Sequence, residues 1–103
     1  MSHPEPITFS PPKRSSPPDL SAFRCRVAAA VDDGANNVRI DLDGVEVLDS
    51  PLIASLIAIL RHARERTASV FLRAGRRQIT DTLRVTALDK VFTVEHPSDR
   101  LVA

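Results

Sequence analysis

Histidines are the side chains best suited to holding a metal or relaying a proton, and His3, His62 and His96 are spaced so that they share no site. None pairs with another at i, i+4 and none stands in a carboxylate cluster, so the ligand spacing of a metal centre is missing and they read as incidental surface residues. Among Ser15, Ser16, Ser21, Ser50, Ser55, Ser69 and Ser98, none lies in a G-x-S-x-G elbow, and none falls in a recognisable order with a His and an Asp. Gly34, Gly44 and Gly75 are too far apart for a phosphate-cradling loop. Cys25 is alone, which excludes an intrachain disulfide or a Cys-pair metal site and suits a reducing compartment. Asp41 and Asp43 could be read as paired carboxylates, but strand alternation puts both on a polar side next to a turn. These residues give no catalytic constellation, no metal site and no cofactor, and the expectation is a protein that is not an enzyme.

One place keeps chemical interest. A helix start at Ser50-Pro51, directly after a strand and a loop, would present unpaired backbone N–H groups and the positive end of the helix dipole. Two readings of Ser50 stand at this point: it caps the helix, or the helix start holds an anion or a phosphorylated hydroxyl there.

The elements that must position this junction follow from periodicity. Six of the eight prolines fall in the first eighteen residues, where they fix φ and remove donors, leaving only Ile7-Thr8-Phe9 as a short edge strand. Ser15 and Ser16 can cap a helix whose first turn takes Pro17 and Pro18 and whose apolar face is Leu20, Phe23, Val27 and Val31, closing near Gly34. Asn37 to Leu42 alternates polar with apolar, a half-buried strand. From Ser50, the residues Leu52, Ile53, Leu56, Ile57 and Leu60 form a broad stripe suited to covering a sheet, with Arg61, Arg64 and Arg66 in the last turns. Ser69 to Leu72 reads as a buried strand, Arg76 to Thr86 as a helix, Val91 to Val94 as a last strand, and Pro97 opens a terminal segment. Strand and helix alternate throughout, which predicts an α/β domain with a mainly parallel sheet of about four strands covered by about four helices. The expected division is a proline-rich segment over 1–18, with its strand at 7–9, and the remainder of one domain over 19–103.

Bulk properties bound the partners. In 103 residues there is room for one modest core, and 43% hydrophobic with 26% charged residues is an ordinary globular composition. Four Phe with no Trp or Tyr leave few stacking platforms for single-stranded nucleic acid, and a formal net charge of +1 supplies no general drive toward DNA or an anionic membrane. The basic residues Arg61, Arg64, Arg66, Arg73, Arg76 and Arg77 read as a solvated helix end and a basic turn rather than an RNA patch. Prolines interrupt any apolar run near the N-terminus, so no secretory signal or membrane insertion is expected, and the cytoplasm is the expected location.

Two separated motifs carry a resemblance. The run Val38-Arg39-Ile40-Asp41-Leu42-Asp43-Gly44-Val45-Glu46-Val47-Leu48-Asp49-Ser50 resembles the strand-and-loop of STAS domains, the fold of anti-sigma-factor antagonists and sulfate-transporter tails. Leu83 to Phe92 is similar to the family's L-x-x-t-g-L-d-x-v-f signature, and the similarity covers about residues 6 to 103. The resemblance implies a STAS-like single domain acting in partner switching, bound to a GHKL-type anti-sigma kinase through Asp49, Ser50, Pro51, Leu52 and Ser55. In the family a Ser or Thr that the kinase phosphorylates follows the Asp-Ser pair; here Pro51 occupies that position, and Ser50 is the displaced candidate acceptor. The alternative that the resemblance implies is the small STAS subunit of a lipid-type ABC transporter, bound to its ATPase.

Overall fold

Residues 7–13 and 15–95 are described by the computed structural model; His3, His96, Ser98 and the segment opened by Pro97 lie outside them. Helix α1, Pro17–Asp32, starts as its sequence dictates: Ser16 accepts a hydrogen bond from the Asp19 amide at 3.3 Å, and the two prolines occupy positions whose amides have no intrahelical partner. It buries Leu20, Phe23, Val27 and Val31 and ends before Gly34, whose φ of +109° suits a residue without a Cβ. The strands are β1 (Ile7–Phe9), β2 (Asn37–Asp41), β3 (Ser69–Arg73) and β4 (Thr93–Glu95), all parallel and in chain order across the sheet.

A parallel sheet whose strand order follows the chain, joined by right-handed crossovers, brings every crossover helix onto the same face. The core agrees with this. Val38, Ile40, Val70 and Leu72 from the central strands form one buried cluster with side chains of α1, of α2 (Ser50–Glu65) and of α3 (Arg77–Val85). The alternate strand residues Arg39, Phe71 and Arg73 face the other way and are half-buried. On that open face Arg39 Nε donates to Glu95 Oε1 at 2.7 Å, which joins β2 to β4 across β3. This hydrogen bond is the main cause holding the Arg39 guanidinium above its ordinary pKa, so it stays cationic wherever the protein is folded.

Helix α2 is turned relative to the stripe read from its sequence. Its buried residues are Leu52, Ser55, Leu56, Ile59, Leu60 and Ala63, while Ile57 is 39% exposed. From Ser50 to Leu60 the helix carries no charge, so no charged residue in that stretch marks its outer side. The helix count is corrected too. The described residues hold three α-helices and one 3₁₀ turn, Leu88–Lys90, rather than about four helices. Ala87, at φ 60°, ends α3, and only this short turn fits before Phe92 plugs the core and β4 begins.

Candidate functional site

The carboxyl ends of parallel strands are where loops gather, and here those loops run from Ser10 to Ser16 after β1, from Leu42 to Asp49 after β2 and from Ala74 to Arg76 after β3. The Asp41 carboxylate accepts the Asp43 amide at 2.9 Å, a local turn contact. Asp43 Oδ1 in turn accepts the Gly75 amide at 3.0 Å, fastening the second loop to the third. These two aspartates therefore build the loop and are not poised as an acid–base pair. Arg76 Nη1 donates to the Val45 carbonyl at 3.1 Å. Arg73 Nε sits 3.8 Å from Asp43 Oδ2, an ion pair too long to be a hydrogen bond, and that buried nitrogen has no other partner among the described residues.

Leu42, Val45 and Leu48 insert into the core, and between these anchors the loop displays Gly44, Glu46 and Val47, the last 69% exposed. The anchored backbone carries the chain to Asp49, which is half-buried and caps α2. Asp49 Oδ1 accepts the Leu52 amide at 3.1 Å and the Ser15 hydroxyl at 2.9 Å, and the Asp49 carbonyl accepts the Ile53 amide at 2.9 Å. The cap is thus Asp49 and not Ser50, which corrects the capping reading of the serine. Ser50 is the first residue of the helix, exposed, with no side-chain partner among the described residues.

This arrangement also decides against an anion at the helix start. Pro51 has no amide proton, Leu52 and Ile53 donate to Asp49, and the Asp49 carboxylate itself brings negative charge to the dipole's positive end. Of the first four residues of the helix, that leaves the Ser50 amide.

Of the five residues expected to meet a partner, the structure brings three to the surface together: Asp49, Ser50 and Pro51. Leu52 and Ser55 point inward, at 2% and 1% exposure, and Ser55 accepts a hydrogen bond from Arg24 Nη1 of α1 at 3.0 Å. The outer side of the first turns of α2 consists instead of Ser50, Pro51, Ala54, Ile57 and Ala58, ahead of the exposed Arg61. Sequence reasoning missed Val47 and Ala54, and the spacing of Ala54 and Ala58 from Ser50 was the available signal. His62 pairs with Asp32 of α1 at 2.8 Å, and Asp32 also meets Arg66 at 3.2 Å. Cys25 is exposed on the outside of α1, and among the described residues no three His, Cys, Asp or Glu side chains gather as metal ligands.

With this geometry in hand, comparisons with known proteins give a consistent picture. The family model described as Mlab, STAS domain matches residues 16–98. An anti-sigma-factor antagonist (STAS) domain protein from Planctomyces limnophilus is 24% identical, over 91% of this chain and 85% of that one, at a TM-score of 0.70. An anti-sigma factor antagonist from Mycobacterium paratuberculosis is 26% identical, over 80% of this chain and 70% of that one, at a TM-score of 0.64. A Thermotoga maritima protein at 16% identity shares the fold over 94% of this chain and 77% of that one, with a TM-score of 0.71. No curated protein sequence matches the chain.

Proposed function

This chain belongs to the STAS domain family, a family of regulatory binding proteins, and from that membership we propose that it binds a GHKL-type anti-sigma kinase in a partner-switching pathway in the cytoplasm. The observation that carries the proposal is the junction of loop and helix: Val47, Asp49, Ser50 and Pro51 stand exposed or half-exposed on a backbone anchored from behind by Leu42, Val45 and Leu48. The outer side of the first turns of α2, uncharged as far as Leu60 and including Ala54, Ile57 and Ala58, continues that surface and supplies aliphatic contact area in a chain poor in aromatics. Pro51 stands where the family's phosphoacceptor is expected and has no hydroxyl to modify. The hydroxyl of Ser50, free of capping duty, is the acceptor available beside it. No catalytic role and no nucleic acid are part of this reading. No helix among the described residues is long and apolar enough to cross a membrane.

The experiment is an affinity capture from native lysate with wild type and Ser50→Glu side by side, with partners and phosphosites identified by mass spectrometry. A GHKL-type kinase retained by wild type and lost with the glutamate is the expected result, because a second negative charge beside the Asp49 carboxylate is left unpaired on binding. An unchanged partner set would remove Ser50 from the interface.

A second reading consistent with membership of the STAS family is a small subunit docked on the ATPase of a lipid-type ABC transporter. A surface with no hydroxyl at position 51 suits such a permanent contact. Capture of a transporter ATPase with membrane components, insensitive to phosphatase, would select this reading over the kinase.

A further inference from the structure

We infer that Ser15, just ahead of α1, is a latch on the partner-facing loop and acts as the positioning residue that holds Asp49 in its capping geometry. The inference rests on the reading of that loop as the partner surface and adds how the surface is kept in shape. Of the residues between β1 and α1, Lys13 and Ser15 lie beside the loop Leu42–Asp49. Between Lys13 and the loop lies a cleft of about 590 Å³ lined by Lys13, Asp43, Gly44, Glu46 and Arg76. The two sides are therefore not zipped together. Among the described residues a single hydrogen bond joins them, Ser15 Oγ to Asp49 Oδ1 at 2.9 Å, between residues 34 apart in the chain.

That bond lands on an oxygen with a second duty. The same Oδ1 accepts the Leu52 amide, so the Ser15 proton fixes the carboxylate rotamer in which α2 is capped. Without it, this half-buried carboxylate is free to turn toward water, and the first turn of α2 opens more often. Ser50 and Pro51 lie in that turn, so the order of the partner surface depends on a hydroxyl far away in sequence.

Amide hydrogen exchange on the isolated full chain, with no partner present, tests this. In Ser15→Ala the Leu52 amide should exchange roughly 2- to 10-fold faster, the range for one net hydrogen bond. Ser15→Thr, which keeps the hydroxyl, should restore the wild-type rate. The amide of Leu60, deep in α2, should stay unchanged in both variants, which also shows that the fold is intact. An unaltered Leu52 rate in Ser15→Ala, a threonine that fails to rescue, or an acceleration shared by Leu60 would each overturn the latch. Because the measurement needs no partner, a failed latch and a wrongly assigned partner surface give separate results.

Discussion

Helices α1 and α2 begin on similar sequence, Ser15-Ser16-Pro17-Pro18 and Asp49-Ser50-Pro51-Leu52, yet they give their serines different work. Aligned on the cap, Ser16 corresponds to Asp49, Pro17 to Ser50, and Pro18 to Pro51. In α1 the serine is the cap and takes the Asp19 amide at 3.3 Å. In α2 the aspartate precedes the serine and takes the cap instead, with the Leu52 amide at 3.1 Å and the Ser15 hydroxyl at 2.9 Å on one oxygen. A carboxylate is the stronger acceptor at the positive end of a helix and can serve two donors at once. The difference teaches how an exposed hydroxyl is set free at a helix start: an acid one residue upstream relieves it of structural duty.

The largest effect expected from this comparison comes from Asp49→Ala. It removes the charged cap and leaves the half-buried Ser15 hydroxyl without its acceptor, at a cost of about 2 kcal/mol, read in thermal unfolding as a drop on the order of 10 °C. Asp49→Asn keeps an acceptor oxygen and should recover more than half of that loss. An Asp49→Ala melting temperature equal to wild type would mean that Ser50 can take over the cap, and the contrast between the two helix starts would disappear.

Next comes Ser16→Ala, expected to cost roughly 0.5–1 kcal/mol, because the lost bond is long, neutral and exposed. Denaturant unfolding of the two alanine variants under identical conditions compares the caps directly. A Ser16→Ala loss as large as that of Asp49→Ala would show that charge adds nothing at α2.

Most of this was legible in the sequence, and each exception has a physical cause. Period-2 alternation at Val38, Ile40 and Leu42 and the 3.6-residue spacing of Leu20, Phe23, Val27 and Val31 located β2 and α1, because one face of each is polar and the other apolar. Helix α2 offers no such contrast between Ser50 and Leu60, so pattern alone fixed its existence but not its rotation. Ile57, assigned inward, is 39% exposed, and Ser55, assigned outward, is 1% exposed. The cap was misplaced for a related reason: Asp and Ser are about equally good N-caps, and a proline is compatible with either of the first two helical positions. The Ser15 to Asp49 bond was out of reach altogether, since it joins segments that meet only once the sheet has formed.

The smallest expected effect is on stability in Ser50→Ala, and it sharpens the comparison most. An exposed hydroxyl with no partner contributes only through helix propensity, and alanine is the better helix former, so stability should be unchanged or rise by up to about 0.5 kcal/mol. The matching substitution one residue earlier costs stability at Asp49, and the matching serine in α1 costs it at Ser16. If Ser50→Ala is instead destabilised by 1 kcal/mol or more in equilibrium unfolding, on the scale of a lost cap, the hydroxyl is bonded in solution and is not free for a kinase. Stability at the wild-type level with altered partner capture would place the serine's role at the surface, where Asp49 leaves it exposed.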